Sequence, residues 1–225
     1  MRFIMMKKFL ALPLFLAGLS ILPVPSFAQD RNLSEMEVKK LFEELVLQEI
    51  SLVDTDEVTL KDKQRRQIAD QILFHYTEDA KMKYKHLVLN EKNQIAPLQQ
   101  GYHDYLTYKA ALSQDNKARN MSGEYKIKKL ELMGQRAEAD VNFVYHYQIV
   151  ADKFGDLIKY KADVVTKGEC AMDIKVDYDN IPRISYENCD VRSYVSNIDI
   201  DKPDFMQDAE AQASFNIMNN INIRK

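Results

Sequence analysis

The sequence predicts one α+β domain behind an export leader: N-terminal helices, then a run of antiparallel strands, then a C-terminal helix. Three observations carry this reading. Apolar residues recur at helical spacing between Val38 and Tyr76. From Ala80 onward most of the chain alternates apolar and polar residues, the period of half-buried strands. No repeat and no Pro/Gly/Ser-rich linker divides residues 29–225, so one domain accounts for them, with its core at 34–195 and a helical extension at 201–222.

The leader is Met1 to Ala28. Arg2, Lys7 and Lys8 form a positive start, Phe9 to Leu22 an apolar run, and Ser26-Phe27-Ala28 a small-x-small cleavage site before Gln29. Pro13 interrupts the apolar run, which is shorter than the ~20 residues a spanning helix needs. The expected location is therefore periplasmic or secreted, with no membrane span after cleavage. The formal charge of the full chain is −3, and the leader removes only cations, so the mature domain is more acidic still. A mildly acidic chain lacks the basic footprint of a nucleic-acid binder.

The first helix is marked by Ser34 as N-cap, Glu37 three residues later as its capping-box partner, and Leu33 with Val38 as a hydrophobic staple. Val38, Leu41, Phe42, Leu45 and Leu52 form its apolar stripe, and Asp54 to Glu57 end it. Thr59 is the expected cap of a second helix carrying Ile68, Ala69, Ile72, Leu73 and Tyr76. Met82, Tyr84, His86 and Val88 then alternate with Lys81, Lys83 and Lys85, as in an edge strand whose lysines face water. A short helix is expected from Tyr102 to Leu112. Strands follow at Tyr125 to Met133, Ala137 to Val150, Leu157 to Thr166, Cys170 to Tyr178 and Arg183 to Val195. Phe205, Ala209, Ala213 and Ile217 give the terminal helix its stripe, which needs a cover from this chain's sheet or another subunit.

Cys170 and Cys189 are the only cysteines, and export allows them to oxidise with each other. With Asp179-Asn180 as a two-residue turn, the two fall opposite one another. Strict register would, however, set Arg183, Ser185 and Glu187 on the same face as Cys170, Met172, Ile174 and Val176. A bulge or three-residue turn near Pro182, with a compensating bulge near Asn188, would repair the pattern. The disulfide is expected whatever the register. A redox pair would want C-x-x-C spacing, which is absent.

The order of elements, the segment Ile72-Leu73-Phe74-His75-Tyr76-Thr77-Glu78-Asp79-Ala80, and Gly101 ahead of the third helix resemble the nuclear-transport-factor-2-like superfamily, the SnoaL-like or ketosteroid-isomerase-like cone. The resemblance implies a sheet wrapped around helices to leave a conical cavity. Members include isomerases, cyclases and dehydratases, pure ligand binders, and non-catalytic subunits of secretion and transport assemblies. Its enzymes need an Asp or His base and a Tyr or Asp donor inside the cone, because charge grows on oxygen as a proton leaves. No motif here reproduces that set.

Among candidate residues, His86 and Tyr84 are the candidate acid–base players, on a face shared with Met82 and Val88. His146 lies on the more polar face of its strand and is expected in solvent. His75 and His103 sit near helix ends without an identifiable nucleophile. Asn197, Asp199 and Asp201 mimic the start of a calcium loop, but Lys202 and Asp208 stand where it requires Gly and Glu. No metal and no cofactor is expected. The function expected is an exported, non-enzymatic module that binds a hydrophobic small molecule or docks on an envelope protein, with a homodimer as one arrangement to test. The alternative is a small cone-pocket enzyme.

Overall fold

The computed structural model describes residues 31–90, 94–113, 117–153 and 158–201. Helix α1 (Glu35–Ser51) opens with the expected capping box: Ser34 Oγ accepts from Glu37 N, and Glu37 accepts from Ser34 N at 3.0 Å. Leu33 and Val38 are both buried, as the staple requires. Helix α2 (Asp62–Leu73) begins later than Thr59 suggests, because Gln64 reaches back to the Lys61 amide at 2.9 Å and fixes the N-cap there. Buried Asp54 ties the α1–α2 turn to its surroundings, meeting Arg65 at 2.6 Å and Arg119 at 3.0 Å. No described helix is long and apolar enough to cross a membrane.

The remaining elements are β1 (Tyr76–Leu89), β2 (Gln99–Asp104), α3 (Tyr105–Leu112), β3 (Ala118–Met133), β4 (Arg136–Lys153), β5 (Ile158–Val176) and β6 (Pro182–Asp201). They form one curved, unclosed six-stranded sheet in the order β2-β1-β6-β5-β4-β3. Every pairing is antiparallel except β1 with β6, which is parallel, so the expected antiparallel sheet is in fact mixed. This places β1 inside the sheet: Lys81, Lys83 and Lys85 do face solvent, but on an interior strand rather than an edge.

Several boundaries move for local reasons. The expected helix at Tyr102 starts only at Tyr105, because residues 99–104 pair with β1 and Asp104 then caps α3, accepting from Thr107 N at 2.8 Å. The two strands expected at Leu157 to Thr166 and Cys170 to Tyr178 are one continuous β5, since Gly168 pairs with Phe143 without breaking the ladder. Asn197 and Asp199 lie within β6, so the calcium-loop resemblance has no loop behind it. The terminal helix expected at 201–222 lies outside the described residues.

One face of the sheet lies under the helices. Its inner positions include Val141, Phe143, Tyr145, Tyr147 and Ile149 of β4, and Val164, Cys170, Met172 and Ile174 of β5, all buried. Three strand glycines face aromatic rings directly across the ladder: Gly101 with Tyr84, Gly123 with Tyr145 and Gly168 with Phe143. A Cβ at Gly123 or Gly168 would fall 2.1 Å from the ring opposite. Glycine is needed there for room, so that large rings can lie flat on the inner face of a bent sheet.

The disulfide is present, joining Cys170 and Cys189 directly across β5 and β6. The turn differs from the two-residue form: Tyr178, Asp179 and Asn180 form a three-residue loop, with Asn180 in the left-handed region at φ 62°. The compensating bulge falls at Ser185, not near Asn188. Ile184 consequently packs inward opposite Ile174, Tyr186 points outward, and Glu187 stays on the inner face opposite Met172. Arg183 anchors the hairpin tip. It pairs with Asp177 at 2.8 Å and Asp179 at 2.5 Å, and donates from Nε to the Phe74 carbonyl at 2.9 Å.

Candidate functional site

The inner face carries a chain of hydrogen bonds that crosses four strands. His86 Nε2 on β1 lies 2.8 Å from Ser193 Oγ on β6; Ser193 Oγ lies 2.6 Å from Thr166 Oγ1 on β5; Thr166 Oγ1 lies 3.1 Å from the Tyr147 hydroxyl on β4. Sheet register makes these residues neighbours, since Ser193 pairs with both Val88 and Thr166. All four are buried, Ser193 completely. Burial pushes the Tyr147 phenol up to about 12, against the opposing pull of its bonds to Thr166 and Ser193. Tyr147 is thus a neutral donor or acceptor at physiological pH, not a base.

Two buried carboxylates hold further aromatic hydroxyls. Glu187, 5% exposed, accepts from the Tyr76 hydroxyl at 2.9 Å, and its other oxygen lies 2.8 Å from Cys189 Sγ. Cys170, Glu187 and Cys189 are close enough to share an ion, but the disulfide already joins the two sulfurs. On α1, Glu49 accepts from the hydroxyls of Tyr145 and Tyr125, which ties the helix to β4 and β3.

The candidate pair His86 and Tyr84 is not brought together as a unit. His86 contacts Ser193, whereas the Tyr84 ring stacks on His103 at 5.2 Å and lies across Gly101. His103 is half-buried, and burial lowers its pKa against a smaller opposing effect of Asp104. His75 is buried at the α2–β1 junction, its Nε2 without a hydrogen-bond partner among the described residues. Burial depresses its pKa, opposed by Glu44 and Glu49 and aided by Arg183. His146 is exposed, as its strand face predicts.

Among the described clefts, one is mainly apolar. It lies between α1 and β3, holds about 420 Å³, and has a floor of Phe42, Val46, Tyr125 and Ile127. Phe42 and Tyr125 stack there at 5.5 Å. Lys39, Glu43, Glu124 and Lys126 supply a charged rim. Such a shape suits a small molecule with an apolar body and a polar end. Two other clefts, of about 500 and 210 Å³, lie on the outer face of β4, β5 and β6 and are more polar.

Sequence reasoning singled out His86 but not the residues it contacts. Ser193, Thr166 and Tyr147 carry no motif, and only the pairing of four strands brings them together. The signal for Glu187 was present as the polar residue that spoils the alternation of β6; it reads as a register error until the bulge is located. The α1–β3 cleft had no sequence signal beyond the apolar stripe of α1.

No family model matches the chain, and no curated protein matches it. Solved structures to which it is similar include a conserved protein from Planctomyces limnophilus, at 8% identity over 70% of this chain and 94% of that one, with a TM-score of 0.46. Another is a putative scytalone dehydratase from Novosphingobium aromaticivorans, at 8% identity over 77% and 94%, with a TM-score of 0.46. A third is an NTF2-like protein of unknown function from Shewanella baltica, at 7% identity over 74% and 99%, with a TM-score of 0.34. The third of these bears the name of the superfamily that residues 72–80 resemble.

Proposed function

We propose that this protein is an exported, non-enzymatic binding module that takes a small amphipathic molecule in the cleft between α1 and β3. The observation that carries the reading is the contrast between two regions. Polar groups on the inner face are engaged with one another, from His86 through Ser193 and Thr166 to Tyr147. The α1–β3 cleft instead offers an apolar floor that opens toward solvent beneath a charged rim. The leader and the disulfide support a periplasmic or secreted setting, where thiols oxidise.

A second reading is a small acid–base enzyme of the cone. The 2.8 Å contact between His86 and Ser193 favours it, being the separation of a base and the hydroxyl it activates. Against it stand the complete burial of Ser193 and the Thr166 hydroxyl on the same oxygen.

Titration with 1-anilinonaphthalene-8-sulfonate separates the two. Saturable binding is expected at one site, weakened about tenfold or more by Val46→Trp, which fills the cleft, a loss of ~1.4 kcal/mol. His86→Gln should leave that affinity unchanged. No saturable binding, or binding lost in His86→Gln and kept in Val46→Trp, would overturn the cleft as the site.

A further inference from the structure

The β5–β6 hairpin gathers three metal-ligating side chains on the inner face of the sheet. Cys170 and Cys189 stand directly opposite one another across the ladder, and Glu187 lies two residues from Cys189 on the same side of β6. One ligand atom from each lies within 4.8 Å of the others, and all three residues are buried. Glu187 Oε1 is 2.8 Å from Cys189 Sγ and 4.0 Å from Cys170 Sγ. A disulfide sulfur has no proton to donate, so neither contact is a hydrogen bond while the S–S bond stands. The other carboxylate oxygen accepts from the Tyr76 hydroxyl at 2.9 Å, which holds Oε1 toward the sulfurs. An outer hydrogen bond of this kind is how proteins orient a carboxylate that ligates a metal.

We propose that Cys170, Glu187 and Cys189 form a redox-gated site for a thiophilic divalent cation of the zinc type, shut by the disulfide and opened by its reduction. A dithiol reductant opens it: the S–S bond breaks, two thiols form, and the reductant leaves as its own disulfide. The cation then displaces one proton from each thiol, and two thiolates with the Glu187 carboxylate supply three ligands. Soft sulfur with one hard oxygen is a donor set that zinc accepts and that calcium or magnesium does not. Zn–S bonds of about 2.3 Å in a tetrahedral site set the two sulfurs roughly 3.8 Å apart. The two Cα atoms are 4.1 Å apart, so rotation of the cysteine side chains reaches that spread without moving the strands. Oxidation runs in reverse. A disulfide oxidant takes two electrons from the thiolates and two protons from water, the S–S bond re-forms, and the cation is released. The hairpin thus has two alternative closures, a covalent one when oxidised and a metal one when reduced.

Titration with Co²⁺, a spectroscopic stand-in for Zn²⁺, tests this on the full mature protein after reduction with dithiothreitol and its removal under nitrogen. The reduced protein is expected to take up one Co²⁺ with a thiolate-to-metal charge-transfer band, and Zn²⁺ to displace it. The oxidised protein and Cys170→Ser/Cys189→Ser should show no such band. Glu187→Gln, which keeps an acceptor for the Tyr76 hydroxyl, should weaken Co²⁺ binding about tenfold or more. Urea melts of the same samples give a second readout: Zn²⁺ should raise the midpoint of the reduced protein and leave that of the oxidised protein unchanged. A reduced protein that takes up no Co²⁺ and that Zn²⁺ neither stabilises nor refolds would overturn the proposal. So would undiminished affinity in Glu187→Gln, or a band of equal strength in the oxidised protein. Probe binding at the α1–β3 cleft is read separately, so either proposal can fail alone.

Discussion

At the α2–β1 junction, His75 sits buried with Nε2 unpartnered, and burial holds its pKa below the ordinary imidazole value. The unfolded chain, near 6.5, takes up a proton first as pH falls. Stability is therefore expected to be constant above about pH 7 and to decline as pH drops through 6.5 toward the folded pKa. His103 contributes in the same direction, less strongly because it is half-buried. His75→Gln should flatten most of that decline in urea melts recorded from pH 8 to 5; an unchanged slope would remove His75 as its source. Gly168 makes a second residue-scale prediction. Its Ala variant drives a Cβ into the Phe143 ring, and overpacking of this kind costs about 1–3 kcal/mol, readable as a lower urea midpoint. At this scale the sequence was legible for residues whose exposure follows alternation, such as His86 and His146. It was silent on Ser193, Thr166 and Tyr147, whose significance exists only across strands.

The β5–β6 hairpin shows what periodicity can and cannot specify within an element. Two opposed cysteines and the turn-forming Asp179-Asn180 pair made the pairing readable. The position of the bulge was not, because a bulge is a backbone event that leaves the residue order unchanged. Placing it at Ser185 rather than Asn188 exchanges Tyr186 for Glu187 on the inner face, and so creates the buried carboxylate beside Tyr76 and the disulfide. Replacing both cysteines with serine reopens a loop whose ends are 19 residues apart, and should lower unfolding free energy by ~3 kcal/mol in denaturant melts. A loss near zero would mean that the hairpin is held by its ladder and the Arg183 clamp alone. At the other end of the chain, the α1 capping box was fully legible, since Ser34 and Glu37 act within three residues of each other. Ser34→Ala is expected to cost about 1 kcal/mol by the same measurement.

Across the whole molecule, local patterns yielded the number and type of most elements but not their neighbours. The parallel pairing of β1 with β6 joins residues more than a hundred positions apart, and no local signal announces it. That pairing turns the lysine row of β1 from an edge guard into part of a continuous outer face. It also brings His86 against Ser193 and so starts the row of hydrogen bonds on the inner face. The α1–β3 cleft arises at the opposite side of the sheet, where β3 is an edge strand and α1 lies against it. The proposed binding site thus lies at the margin between helix and sheet, away from the disulfide-stapled β5–β6 hairpin. The most direct test is mass spectrometry of the protein purified without extraction from its native envelope fraction. The denatured spectrum should show a chain beginning at Gln29 and lacking two hydrogens for the disulfide. Under native conditions a small organic adduct should appear that Val46→Trp abolishes. A bare polypeptide mass in both proteins, or an adduct indifferent to Val46→Trp, would contradict a binding module built on this cleft.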